Sequence, residues 1–250
     1  MNENENMSVP PIISPANPLA NENSSDKIPI TGIFSSVEAL LRQPRRVLFH
    51  LTQKNPSSLI TFMLAIALFC SLVYGLVVGT FSVGTQLWAA PVKISVGLFI
   101  SALICLPSLY IFACLSGSQA KLVEVAGLVG GLLALMTVLL IGFAPVAWVF
   151  SQSTESIVAM GALHLVFWFI ATYFGLRFLN NGFAQLSSTF NGGIKLWIVI
   201  FLLVMVQMAT ALRPIVGAAD TLLPTEKKFF LTHWSDSFKV DTQASRNRNP

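Results

Sequence analysis

Five long apolar segments separated by short polar turns organise this chain. They occupy residues 58–80, 92–115, 122–149, 156–179 and 194–213. Each segment holds about 20 or more mostly apolar residues, which is enough to cross a hydrocarbon core of about 30 Å at about 1.5 Å per residue. The pattern predicts an all-α fold, a polytopic membrane protein in which residues 56–216 form a bundle of five transmembrane helices.

An apolar and basic segment, residues 33–55, precedes the first span. Val47, Leu48 and Leu51 fall on one side of a helix through this segment, and Arg45 and Arg46 fall largely elsewhere. This distribution predicts an interfacial amphipathic helix that lies on the membrane, although a plain basic flank would have a similar composition.

Local residues predict where this first segment is helical. Ser35 and Glu38 have the spacing of a capping box, in which each side chain accepts a hydrogen bond from the backbone of the other. Pro44 cannot continue a helix smoothly, but it suits the first turn of a new one. The segment is therefore expected to hold a break at Pro44.

The two ends of the chain differ from the spans. Residues 1–32 are rich in Asn, Pro and Ser and lack the pattern of a signal peptide, so we expect a disordered tail. Residues 217–239 carry Phe230, Trp234 and Phe238 at intervals of four beside three lysines. This predicts a second interfacial helix, with a partner-binding helix as the alternative. Residues 240–250 are expected to be disordered.

Small residues recur at intervals of four within the spans, and two prolines interrupt them. Small side chains let helix backbones approach closely in lipid, so these rows predict a tightly packed bundle. Pro107 and Pro145 should each kink a helix locally. The rows are Ser71-Gly75-Gly79, Gly127-Gly131 and Ala171-Gly175, and Ser101, Cys105 and Ser108 form a weakly polar stripe on the second span.

The composition excludes several classes of function. The chain is 54% hydrophobic and 10% charged, whereas a soluble domain has about 25% charged residues. A net charge of +4 is too small to indicate a nucleic-acid partner. The three cysteines lie inside apolar segments with no metal or disulfide spacing, so they indicate neither a cofactor nor a redox compartment.

The basic residues near the span ends predict the orientation. With the N-terminus in the cytoplasm, seven of them lie inside and four outside, which favours a cytoplasmic N-terminus and an external C-terminus. The inside set is Arg42, Arg45, Arg46, Lys54, Lys121, Arg177 and Lys195, and the outside set is Lys93, Arg213, Lys227 and Lys228.

Polar groups within spans are functional candidates because they are costly in lipid. His164 is interpreted as a neutral imidazole bonded to a neighbouring helix; a proton relay would need a carboxylate, and Glu124 lies only at the mouth of the third span. Gln207 is expected to bond across helices. Arg213 is expected to reach the headgroups, or to hold an anionic lipid or a partner carboxylate. Arg45 and Arg46 are further candidates for lipid or partner contacts.

Catalytic motifs are absent from the sequence. There is neither an H-E-x-x-H zinc motif nor a P-loop. Ser108 and His164 could form a dyad only by meeting from different helices. The expectation is therefore a protein without enzymatic activity and without a cofactor.

The stretch Leu40–Phe49, with Pro44 followed by Arg45 and Arg46, resembles the opening of bacterial Yip1-like membrane proteins. Those proteins typically begin with an apolar pair, Pro-Arg and a basic, aromatic run ahead of about five spans. The resemblance implies a membrane scaffold or accessory subunit in the bacterial cytoplasmic (inner) membrane. The acidic and Gly-Tyr motifs of eukaryotic Yip1 proteins have no match in this sequence, so no trafficking role is implied.

Three functions stay open from the sequence. The first is a non-enzymatic protein that binds a lipid or a membrane-protein partner, including a second copy of itself. The second is a subunit that supplies helices to a channel or transporter, which would need a water-filled cavity lined by Ser101, Ser108, His164 or Gln207. The third is an intramembrane hydrolase that depends on His164.

Overall fold

The computed structural model describes residues 30, 32–52, 56–81, 86–115, 120–154, 156–186 and 191–211, and these residues contain helices and no strand. The helices are α1 (Ile33–Arg42), α2 (Pro44–Leu51), α3 (Ser57–Thr80), α4 (Gln86–Leu115), α5 (Leu122–Ser153), α6 (Ile157–Leu186) and α7 (Asn191–Ala211). Five of them, α3 to α7, are long and apolar enough to cross a membrane. The all-helical, five-span prediction is confirmed. The predicted helix at 217–239, both predicted disordered tails and Arg213 lie outside the described residues, apart from Ile30 and Gly32.

The second span begins earlier than the sequence indicated. Helix α4 starts at Gln86, so Pro91 lies inside the helix and not ahead of it. Pro107 and Pro145 also lie inside helices, α4 and α5 respectively. The helix assignment runs through all three prolines, and the kinks expected at Pro107 and Pro145 stay predictions.

Helix α5 is the centre of the bundle. It packs against α3 and α6 and, less extensively, α4. Helix α4 packs mainly on α3, and α7 packs against α4. In the most apolar stretch of each span, 72% of the α5 residues are buried, against 28% for α6 and 22% for α7. Helices α6 and α7 have the smallest buried shares of the five spans, and each has one exposed face.

Glycines set the closest contacts between the spans. A Cβ atom on Gly75 would overlap the Cα of Pro91, so α3 and α4 approach through backbone. Gly131 accommodates the ring of Phe178, and Gly175 accommodates Met136. These contacts confirm the tight packing that the rows of small residues predicted.

Helix α1 begins at Ile33, so the predicted capping box is wrong. Its N-cap is Gly32, which has a φ of 91° and offers no side chain for capping. Positive φ favours glycine at this position. Because the helix starts two residues before Ser35, that side chain lies within the first turn, and Glu38 forms an ion pair with Arg42 at 3.2 Å instead.

Helix α2 begins at Pro44, as predicted, and closes one end of the bundle. Its buried side carries Val47, Leu48 and Leu51, the side that the sequence indicated. Leu51 fits against Gly127 near the start of α5, and Leu48 fits against Gly182 near the end of α6. The apolar side of α2 is thus covered by protein. We call this the α2 end of the bundle and the opposite one the far end.

Candidate functional site

A hydrogen bond between Tyr74 and His164 joins α3 to α6. The Tyr74 hydroxyl lies 2.7 Å from Nδ1 of His164, and the two rings meet edge to face with centroids 5.7 Å apart. Tyr74 is buried among apolar residues of the core. The interhelical bond predicted for His164 is present, and its partner is a phenol on the first span.

The other ring nitrogen of His164 is buried without a hydrogen-bond partner among the described residues. Whichever tautomer the ring adopts, this Nε2 is either a donor or an acceptor. The hydroxyl of Thr172, two turns farther along α6, is also buried without a partner among the residues that the structure describes. A buried polar atom without a partner costs about 1 to 3 kcal/mol, so α6 carries two polar positions that the bundle leaves unsatisfied.

Further polar side chains lie at the same depth as Tyr74 and His164. The hydroxyls of Ser71 and Ser95 are 2.8 Å apart and link α3 to α4. Lys93, two residues before Ser95 on α4, is only 4% exposed. All of these residues lie about six to nine residues from the far ends of their helices. These polar contacts therefore share one level in the far half of the bundle.

Helices α4 and α7 are joined by a buried indole. Trp197 donates from Nε1 to the carbonyl oxygen of Cys105 at 2.9 Å, and its ring stacks on Phe201 at 5.0 Å. The same carbonyl accepts a hydrogen bond from the Ser108 hydroxyl at 2.8 Å. This contact fixes which face of α7 meets the bundle.

The polar residues expected to line a channel are not collected in one place. Ser101 donates to the carbonyl of Gly97 in its own helix at 2.7 Å, and Ser108 likewise bonds within α4. Gln207 is exposed on α7. His164 lies toward the far end, whereas Ser108 lies toward the α2 end, so these two residues do not form a catalytic dyad.

The described basic residues, Lys93 excepted, gather at the α2 end because the spans alternate in direction. Arg45 is exposed there, and Arg46 bonds to Gln43 at 3.3 Å. The carboxylate of Glu124 accepts a hydrogen bond from the backbone N–H of Lys121 at 3.0 Å, so it caps α5 and is not placed at the depth of His164. Arg45, Arg46, His164 and Gln207 are consequently spread over both ends and over α2, α6 and α7, and they form no single site.

The open faces of α6 and α7 carry polar side chains as well. On α6 the exposed face includes Phe169, Tyr173 and Arg177, with Tyr173 61% exposed near the middle of the helix. On α7 it includes Leu203 and Gln207. The apolar pattern of the sequence alone does not predict that Tyr173 and Arg177 are exposed.

The sequence carried a signal for only some of the residues that the predictions missed. Tyr74 stands beside Gly75 in a row assigned to packing, yet a buried tyrosine in an apolar span usually needs a hydrogen-bond partner. Lys93 was counted only for orientation because the sequence placed it at the start of the second span, whereas the structure makes it the eighth residue of α4. No residue-level signal distinguished the partner of Trp197, because that partner is a backbone carbonyl.

Among the residues that the structure describes, no group of three or more His, Cys, Asp or Glu side chains could hold a metal ion. Comparison of the chain with protein-family models, with curated proteins and with solved structures finds no match.

Proposed function

We propose that this protein is a non-enzymatic, multi-pass membrane scaffold or accessory subunit that binds a protein or lipid partner. The observation that carries the proposal is the outward placement of Tyr173 and Arg177 on α6. Most polar side chains in the interior bond to other helices or to their own backbone, whereas these two face away from the bundle.

Arg177 is the more demanding of the two. It lies about nine residues before the end of α6, or about 14 Å along the helix axis. Side chains lean toward the N-terminus of their helix, and α6 runs toward the α2 end, so Arg177 leans away from the nearer water. Arg177 also lies two residues before the end of the predicted fourth span, 156–179, so its guanidinium is near headgroup level on a face open to lipid, where an anionic group is a favourable neighbour. A partner would provide that group as either a lipid phosphate or a carboxylate.

Tyr173 adds a hydrogen-bonding group one turn deeper on the same face. Residues four apart on a helix are neighbours, so the phenol and the guanidinium can act on one partner. Phe169 and Phe174 provide apolar contact area beside them. This combination of aromatic surface, a hydroxyl and a cation suits a partner that is apolar for most of its length and anionic near the α2 end.

The membrane and its orientation belong to the same proposal. The concentration of cations at the α2 end supports a cytoplasmic position for that end, with the N-terminus inside and the C-terminus outside. The resemblance of Leu40–Phe49 to bacterial Yip1-like proteins supports a bacterial inner membrane and an accessory role.

A helix-supplying subunit of a channel or transporter is the second candidate. The observation in its favour is the depth shared by Lys93, the Tyr74–His164 pair and the Ser71–Ser95 pair. The observation against it is that the Ser101 and Ser108 hydroxyls donate hydrogen bonds to backbone carbonyls of their own helix.

Photocrosslinking in native membranes tests the proposal. A benzophenone side chain replaces Tyr173, and a matched control replaces Phe69, which is 67% exposed on α3. A discrete adduct at position 173 that is absent at 69 and is lost in Arg177→Gln is the expected result. Equal, diffuse labelling of bulk lipid at both positions would overturn the α6 partner face, and robust turnover by the purified protein would overturn the non-enzymatic role.

A further inference from the structure

Helix α7 presents one face to α4, and no described part of the chain covers the other. The buried face carries Ile194, Trp197, Phe201 and Met205, with the Trp197 indole bonded to α4. The uncovered face carries Leu196 at 53% exposure, Val199 at 60% and Leu203 at 65%, followed by exposed Gln207. We call these four residues the α7 seam.

The spacing of the α7 seam is that of a helix-pairing surface. Its members are separated by three, four and four residues, so they form one continuous line along the helix. Lines of aliphatic residues at this spacing are the seams along which two helices pack with interlocking side chains. The line contains no charge and no aromatic ring, and its one polar member is Gln207.

The amide of Gln207 identifies what covers the seam. A carboxamide is costly on a lipid-facing surface and gains from a hydrogen bond to another helix. It offers both donors and an acceptor, so a second carboxamide in the same position is a complementary partner.

Membrane insertion supplies that second carboxamide in register. Every copy of the chain enters with the same orientation, so identical residues of two copies lie at identical depth. A two-fold axis along the membrane normal then sets the two α7 helices parallel and brings each seam residue close to its own counterpart. We propose that the α7 seam binds the α7 seam of a second copy, with the two Gln207 amides hydrogen-bonded across the axis.

The same symmetry argument disfavours self-association through the open face of α6. Pairing through α6 would set Arg177 against a second Arg177 at the same depth, and like charges that face each other repel. Lys195 beside the α7 seam does not raise this difficulty. It lies in the first turns of α7 and leans toward the α2 end, so its ammonium reaches water and is screened.

This inference goes beyond the proposed function and uses a different helix, so the two can fail separately. Self-association through α7 leaves the face of α6 open in both copies. A dimer would therefore present two partner sites, one on each side.

Disulfide trapping in native membranes tests the seam. Cys70, Cys105 and Cys114 are replaced by alanine, and single cysteines are placed at Leu203 or at Phe69. Both positions lie about twelve residues from the α2 end of their helices and are similarly exposed, at 65% and 67%. The L203C protein is expected to form a covalent dimer under mild oxidation, and F69C is expected to stay monomeric.

Gln207→Leu in the full chain provides the second measurement. It removes the hydrogen bond while keeping the side chain apolar and similar in size, so folding is preserved. Loss of one interhelical hydrogen bond should weaken dimerisation about threefold to tenfold, measured by energy transfer between labelled copies in vesicles. Equal trapping of L203C and F69C, no trapping at Leu203, or unchanged dimerisation in Gln207→Leu would each overturn the proposal.

Discussion

The hydroxyl of Tyr74 lies 2.7 Å from Nδ1 of His164, and this hydrogen bond ties the first span to the fourth although α6 packs mainly on α5. Tyr74→Phe removes the hydroxyl and leaves Nδ1 buried without its partner. We expect a loss of about 1 to 3 kcal/mol in the free energy of unfolding, measured by denaturant titration in detergent micelles.

Tyr173→Phe is the matched control for that experiment. Its hydroxyl faces away from the bundle, so stability in detergent should be unchanged. A double variant that also carries His164→Leu should lose less than the sum of the two single losses, because both changes remove the same bond. Additive losses would show that the two residues act independently.

Gly75→Ala should destabilise the bundle by about 1 to 3 kcal/mol. The added methyl group would overlap the backbone of Pro91, which cannot move aside as a flexible side chain could. Thermal unfolding of the detergent-solubilised protein measures the effect.

Gly142→Ala provides the comparison within another span. A Cβ atom there meets nothing within 4 Å. Because alanine is the better helix former, the expected result lies between no change and about 1 kcal/mol of stabilisation. A similar loss at both glycines would contradict the close approach of α3 and α4.

Gly182→Leu should release α2 from the bundle. The larger side chain would occupy the space that Leu48 and Leu128 fill, so the buried side of α2 could no longer pack against α6. A cysteine at Val47, which is 0% exposed, reports the change: it should be protected from a membrane-impermeant maleimide in the parent protein and labelled in the Gly182→Leu variant.

Labelling at Arg45 gives that experiment its control and also tests the orientation. Arg45→Cys is exposed whether or not α2 is docked, so it should react equally in both backgrounds. With a cytoplasmic N-terminus, it should react in inside-out vesicles and be protected in intact cells. Labelling of intact cells would reverse the proposed topology.

The spans could be predicted because membrane insertion depends on the length and hydrophobicity of each segment, which the sequence gives directly. The rows through Gly75, Gly131 and Gly175 could be predicted too, since close packing in lipid depends on small side chains at fixed spacing. The start of α4 could not be predicted. A proline usually marks a helix boundary, and the sequence did not show that a glycine on another helix leaves room for Pro91 inside α4. That glycine is Gly75.

The polar contacts, too, could be predicted only in part from the sequence. His164 was recognisable as a group in need of a partner, but choosing Tyr74 required knowing that α6 and α3 bring these two residues to one depth. The capping box at Ser35 failed because Gly32 could start the helix earlier without any capping side chain. Arg177 was counted only for its charge, and its outward placement depends on which face of α6 meets α5.

The packing of α2 against α6 has a consequence for the order in which the chain folds during synthesis. Leu48 lies ahead of every span, yet it rests against Gly182, which leaves the ribosome only after four spans have been made. Throughout that interval, the apolar side of α2 lacks part of its partner surface. Docking of α2 is therefore completed late in synthesis, and a chain that ends before Gly182 would leave Leu48 without that contact.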